Sequence, residues 1–166
     1  MRAAARLGKR VEDIEPARLA LLNSGAIEAS TLTECLAVDF ATLMRAVLPD
    51  LSEEATARMQ QAAGNGISRR MVLAARLISE HKGQGAIDEL RQHSSDTVRG
   101  WGCFMIGAAD NMTLSDRLAM IRPLADDHHF GVREWSWMAV RQHLVADLDN
   151  AIAQLARWTA DSSERL

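Results

Sequence analysis

Tyrosine is absent from the 166 residues, proline occurs three times, cysteine twice, and aromatic residues make up only 4% of the chain. Scarce proline and scarce Val-Ile-Thr alternation remove the signature of a sheet protein, while Ala, Leu, Arg and Glu are abundant, so an all-helical fold is expected. Neither Cys35 nor Cys103 belongs to a Cys-x-x-Cys pair, and no apolar run near the N-terminus resembles a signal peptide. Those two absences point to a reduced, cytoplasmic protein. The longest apolar stretches, at 71–78 and 101–109, fall far short of the roughly 18 residues a membrane span needs. A Gly-rich phosphate loop, a G-x-S-x-G elbow and an H-E-x-x-H helix are all missing, so hydrolase and nucleotide-binding readings have no support.

What is present is enough apolar material, 48% of the residues, for one core in one domain. The net charge of −3 argues mildly against a polyanionic partner. An average of that kind can conceal a segregated surface.

Val98-Arg99-Gly100-Trp101 returns as Val132-Arg133-Glu134-Trp135, 34 residues later. The same shift pairs Leu114, Leu118, Ile121 and Leu124 with Leu148, Ile152, Leu155 and Trp158. A weaker copy at a shift of 31 sets Ile67, Ile87 and Leu90 against Val98, Leu118 and Ile121. Periodicity of this length is characteristic of stacked helical hairpins. Helices are expected at 52–64, 67–81, 85–94, 97–109, 114–125, 130–145 and 147–160, with two or three more before Pro49. Thr31-x-x-Glu34 supplies a capping box, Ser52 precedes Glu53 and Glu54, Asn65-Gly66 closes a helix and Asp96-Thr97 opens one. The chain is thus expected to form a single helical-repeat domain, 1–166, with N-terminal helices over 1–50. Three repeats follow over 51–166, with the start of a truncated fourth at Asp161 to Leu166.

On a wheel of about 100° per residue, Trp101, Trp135 and Trp158 fall on core strips. A second stripe, at about 180–200°, carries Arg69 and Arg76, then Gly100 and Gly107, then Glu134 and Arg141. Arg99 and Arg133 lie beside it, and Trp137 has Arg133 and Arg141 at i−4 and i+4. The inner helices hold Arg69, Arg70, Arg76, Arg99, Arg133 and Arg141 against Glu80 and Glu134, while the partner helices hold most of the acids. A basic concave wall of this composition suits phosphate contacts, each of which adds affinity through counterion release. DNA-binding candidates are therefore Arg69, Arg76, Arg99, Arg133, Trp137 and Arg141. The competing reading pairs repeat arginines with loop acids such as Asp96, Asp126 and Asp127. Gly100, Gly102 and Gly107 each cost ~1 kcal/mol relative to Ala inside a helix. Something must approach there, either a neighbouring helix or a nucleic-acid backbone.

Asp96-Thr-Val-Arg99, and Ile121-Arg-Pro-Leu124-Ala-Asp-Asp127 leading to Val132-Arg133, resemble the junctions of HEAT-like repeats. Together with Thr31-Leu-Thr-Glu-Cys-Leu-Ala-Val-Asp-Phe40 and Leu155-Ala-Arg-Trp158-Thr-Ala-Asp-Ser-Ser-Glu-Arg-Leu166, they make the chain similar to the DNA alkylation repair family, the HEAT-repeat DNA glycosylases of the AlkC and AlkD type. The resemblance implies an α-α superhelix that holds double-stranded DNA in its concave groove. It also implies release of N-alkylated purines such as 3-methyladenine or 7-methylguanine by hydrolysis of the N-glycosidic bond. Family glycosylases carry Trp-x-x-x-Asp on one helix, and that frame, set on Trp101, places Met105 where the acid belongs. Glu134 is the substitute carboxylate on the exposed stripe, with an ion pair to Arg133 or Arg141 as its alternative role. The competing function is a non-catalytic scaffold gripping a protein or a DNA structure. No cofactor and no metal is expected: the five histidines, His128-His129 included, lack ligand spacing. A monomer is expected.

Overall fold

The computed structural model of the chain describes residues 10–163 and 165. Among the described residues there is no strand, and the helices are α1 Pro16–Asn23, α2 Leu32–Ala37, α3 Phe40–Val47, α4 Glu53–Gln61, α5 Ile67–Lys82, α6 Ala86–Leu90, α7 Asp96–Ala108, α8 Leu114–Ala125, α9 Phe130–Ala146 and α10 Leu148–Leu155. Local chemistry sets their starts: Asp39, Ser52 and Thr113 accept from the backbone N–H of Thr42, Ala55 and Asp116. Thr31 caps α2 in the same way, but the Glu34 carboxylate does not close the expected box. It accepts instead from the Ser30 N–H at 2.6 Å and from Arg18. The expected helix over 147–160 stops at Leu155, followed by a separate 3-10 turn at Trp158–Ala160. Asp161, Ser162, Ser163 and Arg165 are not helical, so the helix expected from Asp161 does not begin there; Glu164 and Leu166 lie outside the described residues.

α7 occupies the centre, flanked by α5 on one side and α9 on the other, with α6 and α8 packed against it as well. Residues 96–107 are all buried. The glycines make this possible. A Cβ at Gly100 would meet the Trp135 ring at 2.6 Å and the Met71 methyl at 3.1 Å, and one at Gly107 would lie 2.3 Å from the Ala139 carbonyl oxygen. The close approach expected at Gly100 and Gly107 is therefore made by neighbouring helices, and α9 sits nearly backbone to backbone against α7. Trp101 is fully buried in an edge-to-face contact with Phe40, at 5.7 Å between ring centroids.

The 34-residue repetition is structural as well as textual. Val98 and Val132 are both buried, as are Trp101 and Trp135. The Arg99 guanidinium donates to the carbonyls of His93 and Ser94, and that of Arg133 to Asp127 and His128, the equivalent positions one repeat on. Even the side chain at the loop position recurs: the Ser95 N–H donates to His93 Nδ1, the His129 N–H to Asp127. The equivalence weakens in the outer helices. Leu118, Ile121 and Leu124 are buried, whereas Leu148 and Ile152 are exposed, because among the described residues nothing stacks on that side of α10.

Candidate nucleic-acid interface

Arg99 was expected on the binding face, and its geometry corrects that expectation. All five of its N–H groups are used inside the protein: two on Asp127 (2.9 and 3.2 Å), one on Glu28, and two on the backbone carbonyls already named. The residue is buried. Burial alone would push the Glu28 carboxyl up, but hydrogen bonds from Arg99 and His128, and their charges, outweigh it and hold the group below the usual carboxylate range. Arg99 thus clamps the 25–30 loop to the junction before α9. Arg133 is half-buried with one guanidinium nitrogen committed to carbonyls (2.7 and 3.0 Å), and its role in the fold is the same capping.

Trp137 is half-buried and packs on Trp158, with 5.7 Å between ring centroids, while Arg122 lies over the far ring at 5.8 Å. The expected row of Arg133, Trp137 and Arg141 is therefore split: Arg133 turns to the loop, Trp137 to the C-terminal segment, and Arg141 to the groove. Met105 is fully buried beside Trp101, so the frame in which the family carries its acid faces the core.

What remains is a trough across α5, α7 and α9. One hollow of about 680 Å³ is lined by Val72, Phe104, Gly107, Met138, Arg141 and Val145, among others. A shallower one of about 300 Å³ lies over Arg69, Val72 and Arg76. Val72 borders both, so they lie side by side on α5. Arg69, Arg76 and Arg141 are exposed, and so is Glu134. Arg76 pairs with Glu80 at 3.5 Å, while Arg69, Arg141 and Glu134 have no ion-pair partner among the described residues. The floor is apolar and open: Val72 is 55% exposed, Met138 36% and Val145 70%. Sequence reasoning missed these floor residues, although Met138 and Val145 stand next to Arg141 on the same helical face, at about 240° and 220° on the wheel.

Two clusters gather the acid, thiol and imidazole groups. Cys35, Asp96 and His129 are buried together, with Cys35 Sγ 3.6 Å and His129 Nε2 3.8 Å from the Asp96 carboxylate. His129 Nδ1 accepts from the Gly131 N–H, which leaves Nε2–H to donate to the Ala29 carbonyl at 2.7 Å, so both ring nitrogens are engaged. Burial and the Asp96 charge push the Cys35 thiol far up, keeping it protonated. The cluster ties Ala29, whose N–H also donates to Asp96 at 3.0 Å, to the starts of α7 and α9. In the second cluster, Glu28, Asp127 and His128, the space between the carboxylates is filled by Arg99. In both arrangements these atoms are engaged in hydrogen bonds and ion pairs within the protein.

The ends of α2 and α7 are held by two further arginines that the repeat pattern did not single out. Arg70 donates to the carbonyls of Val38 and Leu36 and lies over the Phe40 ring. Arg117 donates to those of Ile106, Gly107 and Ala109, and His143 Nε2 joins it on Gly107 at 2.7 Å. No described helix is long and apolar enough to cross a membrane. In comparisons with known proteins, no family model matches the chain, and neither a curated protein nor a solved structure matches it.

Proposed function

We propose that the chain is a HEAT-like helical-repeat module of the DNA alkylation repair type that grips DNA along the trough formed by α5, α7 and α9. The observation that carries this reading is the placement of three exposed guanidiniums, Arg69 and Arg76 on α5 and Arg141 on α9, at two neighbouring hollows that share Val72. The paired loop contacts of Arg99 and Arg133 support a repeat architecture, since one side chain makes the same bond to the preceding turn twice. Glu134 stands two helical turns before Arg141 on the same helix, about 10 Å along it. It is the carboxylate through which excision of an N-alkylated purine would run. Beside a cationic base with a weakened glycosidic bond, it would stabilise the oxocarbenium-like transition state and orient the attacking water.

Affinity for duplex DNA, measured by fluorescence anisotropy across a salt series, tests the binding. Three phosphate contacts give a log–log salt slope of about −2.7, and Arg141→Gln should flatten it by about one. Absence of salt-dependent binding at about 50 mM salt overturns the reading. Release of 3-methyladenine or 7-methylguanine from methylated duplex, lost on Glu134→Gln, tests the chemistry. A second reading, a scaffold that binds a protein segment, is favoured by the apolar floor, since bare phosphate contacts make no use of Val72, Met138 and Val145.

A further inference from the structure

The floor of the trough does not fit a protein that touches phosphates alone. Beside Arg141 the larger hollow is lined by Val72, Phe104, Met138 and Val145, and three of these four side chains are substantially open to solvent. Exposed apolar groups at the bottom of a concavity are costly in water and mark a surface that is covered in the bound state. In a nucleic acid the apolar surface is the face of the base, which paired and stacked DNA hides. Phosphates and base faces together call for cationic and apolar groups side by side, as Arg141 and the floor residues are here. Arg69 and Arg76 line the hollow over α5, Arg141 lines the larger one with Phe104, Met138 and Val145, and Val72 borders both.

We infer that the trough receives an unstacked nucleobase on the Val72, Phe104, Met138 and Val145 floor while the three arginines hold the flanking phosphates. The preferred ligand is DNA in which a base has already left the stack: a single-nucleotide bulge, a mismatch or a single strand. This inference rests on the DNA-binding reading given above. The hollow of about 680 Å³ is within the range of small-molecule sites and has room for a base. An open base spares the protein the unstacking energy, and contact with a base face adds affinity without sequence preference.

Three fluorescently labelled probes of equal length test it: an intact duplex of about 20 base pairs, the same duplex with one unpaired nucleotide, and the single strand. The bulged duplex is expected to bind about tenfold or more tightly than the intact one. 2-Aminopurine at the unpaired position should change its emission on binding, the signature of a base entering a new environment. Val72→Ser and Met138→Ser both change exposed side chains, which leaves the fold intact by circular dichroism. Each should erase the preference for the bulge while keeping the salt-sensitive binding. Equal, salt-dependent affinity for intact and bulged duplex overturns this inference and leaves the DNA-binding reading standing. Binding of none of the three probes overturns both. Displacement of bound DNA by an acidic amphipathic helical peptide, with Met138→Ser weakening the peptide more than the bulge, assigns the floor to a protein segment and also overturns the inference.

Discussion

Replacing Arg99 by Met separates an arginine that builds the fold from one that would meet a ligand. Met keeps the apolar stem of the side chain but removes five hydrogen bonds at once, leaving Asp127 and Glu28 without their cation. Asp127, whose side chain is 10% exposed, then keeps the His129 N–H at 2.7 Å. Glu28 is better placed, at 29% exposed and with His128 still 2.8 Å away, so most of the loss falls on Asp127. Removing one partner of a buried ion pair costs about 3–5 kcal/mol. Against a total stability of about 5–15 kcal/mol that is a large fraction. For a chain of this length it corresponds to a fall in Tm of about 6–20 °C. Arg141→Met, at an exposed position, should change stability by no more than about 0.5 kcal/mol. Urea and thermal denaturation followed by circular dichroism measure both variants. If Arg99→Met were as stable as the parent and instead lost DNA affinity, the clamp would be a misreading and Arg99 would return to the binding face.

Gly107→Ala should destabilise by about 2 kcal/mol, because overpacking costs about 1–3 kcal/mol and disturbs the bonds to the Gly107 carbonyl, while the gain in helix propensity returns about 1. Gly64→Ala, where a Cβ meets nothing within 4 Å, should be neutral in the same urea titration, and equal behaviour of the two variants would refute the close packing of α7 on α9. Glu28 and Glu34 are both held below the usual carboxylate range, Glu34 chiefly by its hydrogen bonds from Arg18. A depressed folded-state pKa contributes stability above the unfolded value of about 4.3, and that contribution is lost as pH falls through the folded value. Unfolding free energy should therefore drop steadily below about pH 4.5, and Arg99→Met should drop less steeply; parallel acid limbs would refute the coupling.

The helix starts near 53 and 114 were legible because the forces that set them are local: Ser52 and Thr113 each act on an N–H three residues on, within any sequence window. The ends expected at 64, 94 and 160 were not, since α4, α6 and α10 stop at Gln61, Leu90 and Leu155. The repetition of Val, Arg and Trp was legible too, and so was the crowding at Gly100 and Gly107. The identity of what crowds them was not, since Ala139 and Trp135 reach those glycines only once α9 stacks on α7. Arg99 shows the same limit more sharply. A wheel places it beside the exposed stripe, but its acid Glu28 lies 71 residues earlier, in a loop that no periodicity positions. The apolar floor went unnoticed for a different reason: Val72, Met138 and Val145 look like ordinary core letters, and exposure is a property of the stack rather than of the residue.

Gly107 and Arg141, which lie 34 residues apart and align under the same shift as Val98 and Val132, differ in what surrounds them. At Gly107 the following helix lies within 2.3 Å of a would-be Cβ, so only glycine fits, and the position is consumed by stacking. Arg141 is instead exposed, and its side chain lines the trough. Val98-Arg99 and Val132-Arg133 repeat because the same junction has to be tied twice, and a side chain that has given its hydrogen bonds to the junction has fewer to offer a ligand. Arg69 and Glu134 occur where all three copies differ, Arg76 and Arg141 where the middle copy alone has glycine, and all four are exposed. A residue repeated in every unit is thus explained first by the contact each unit must make with its neighbour, and a ligand is best sought at the positions where the units differ.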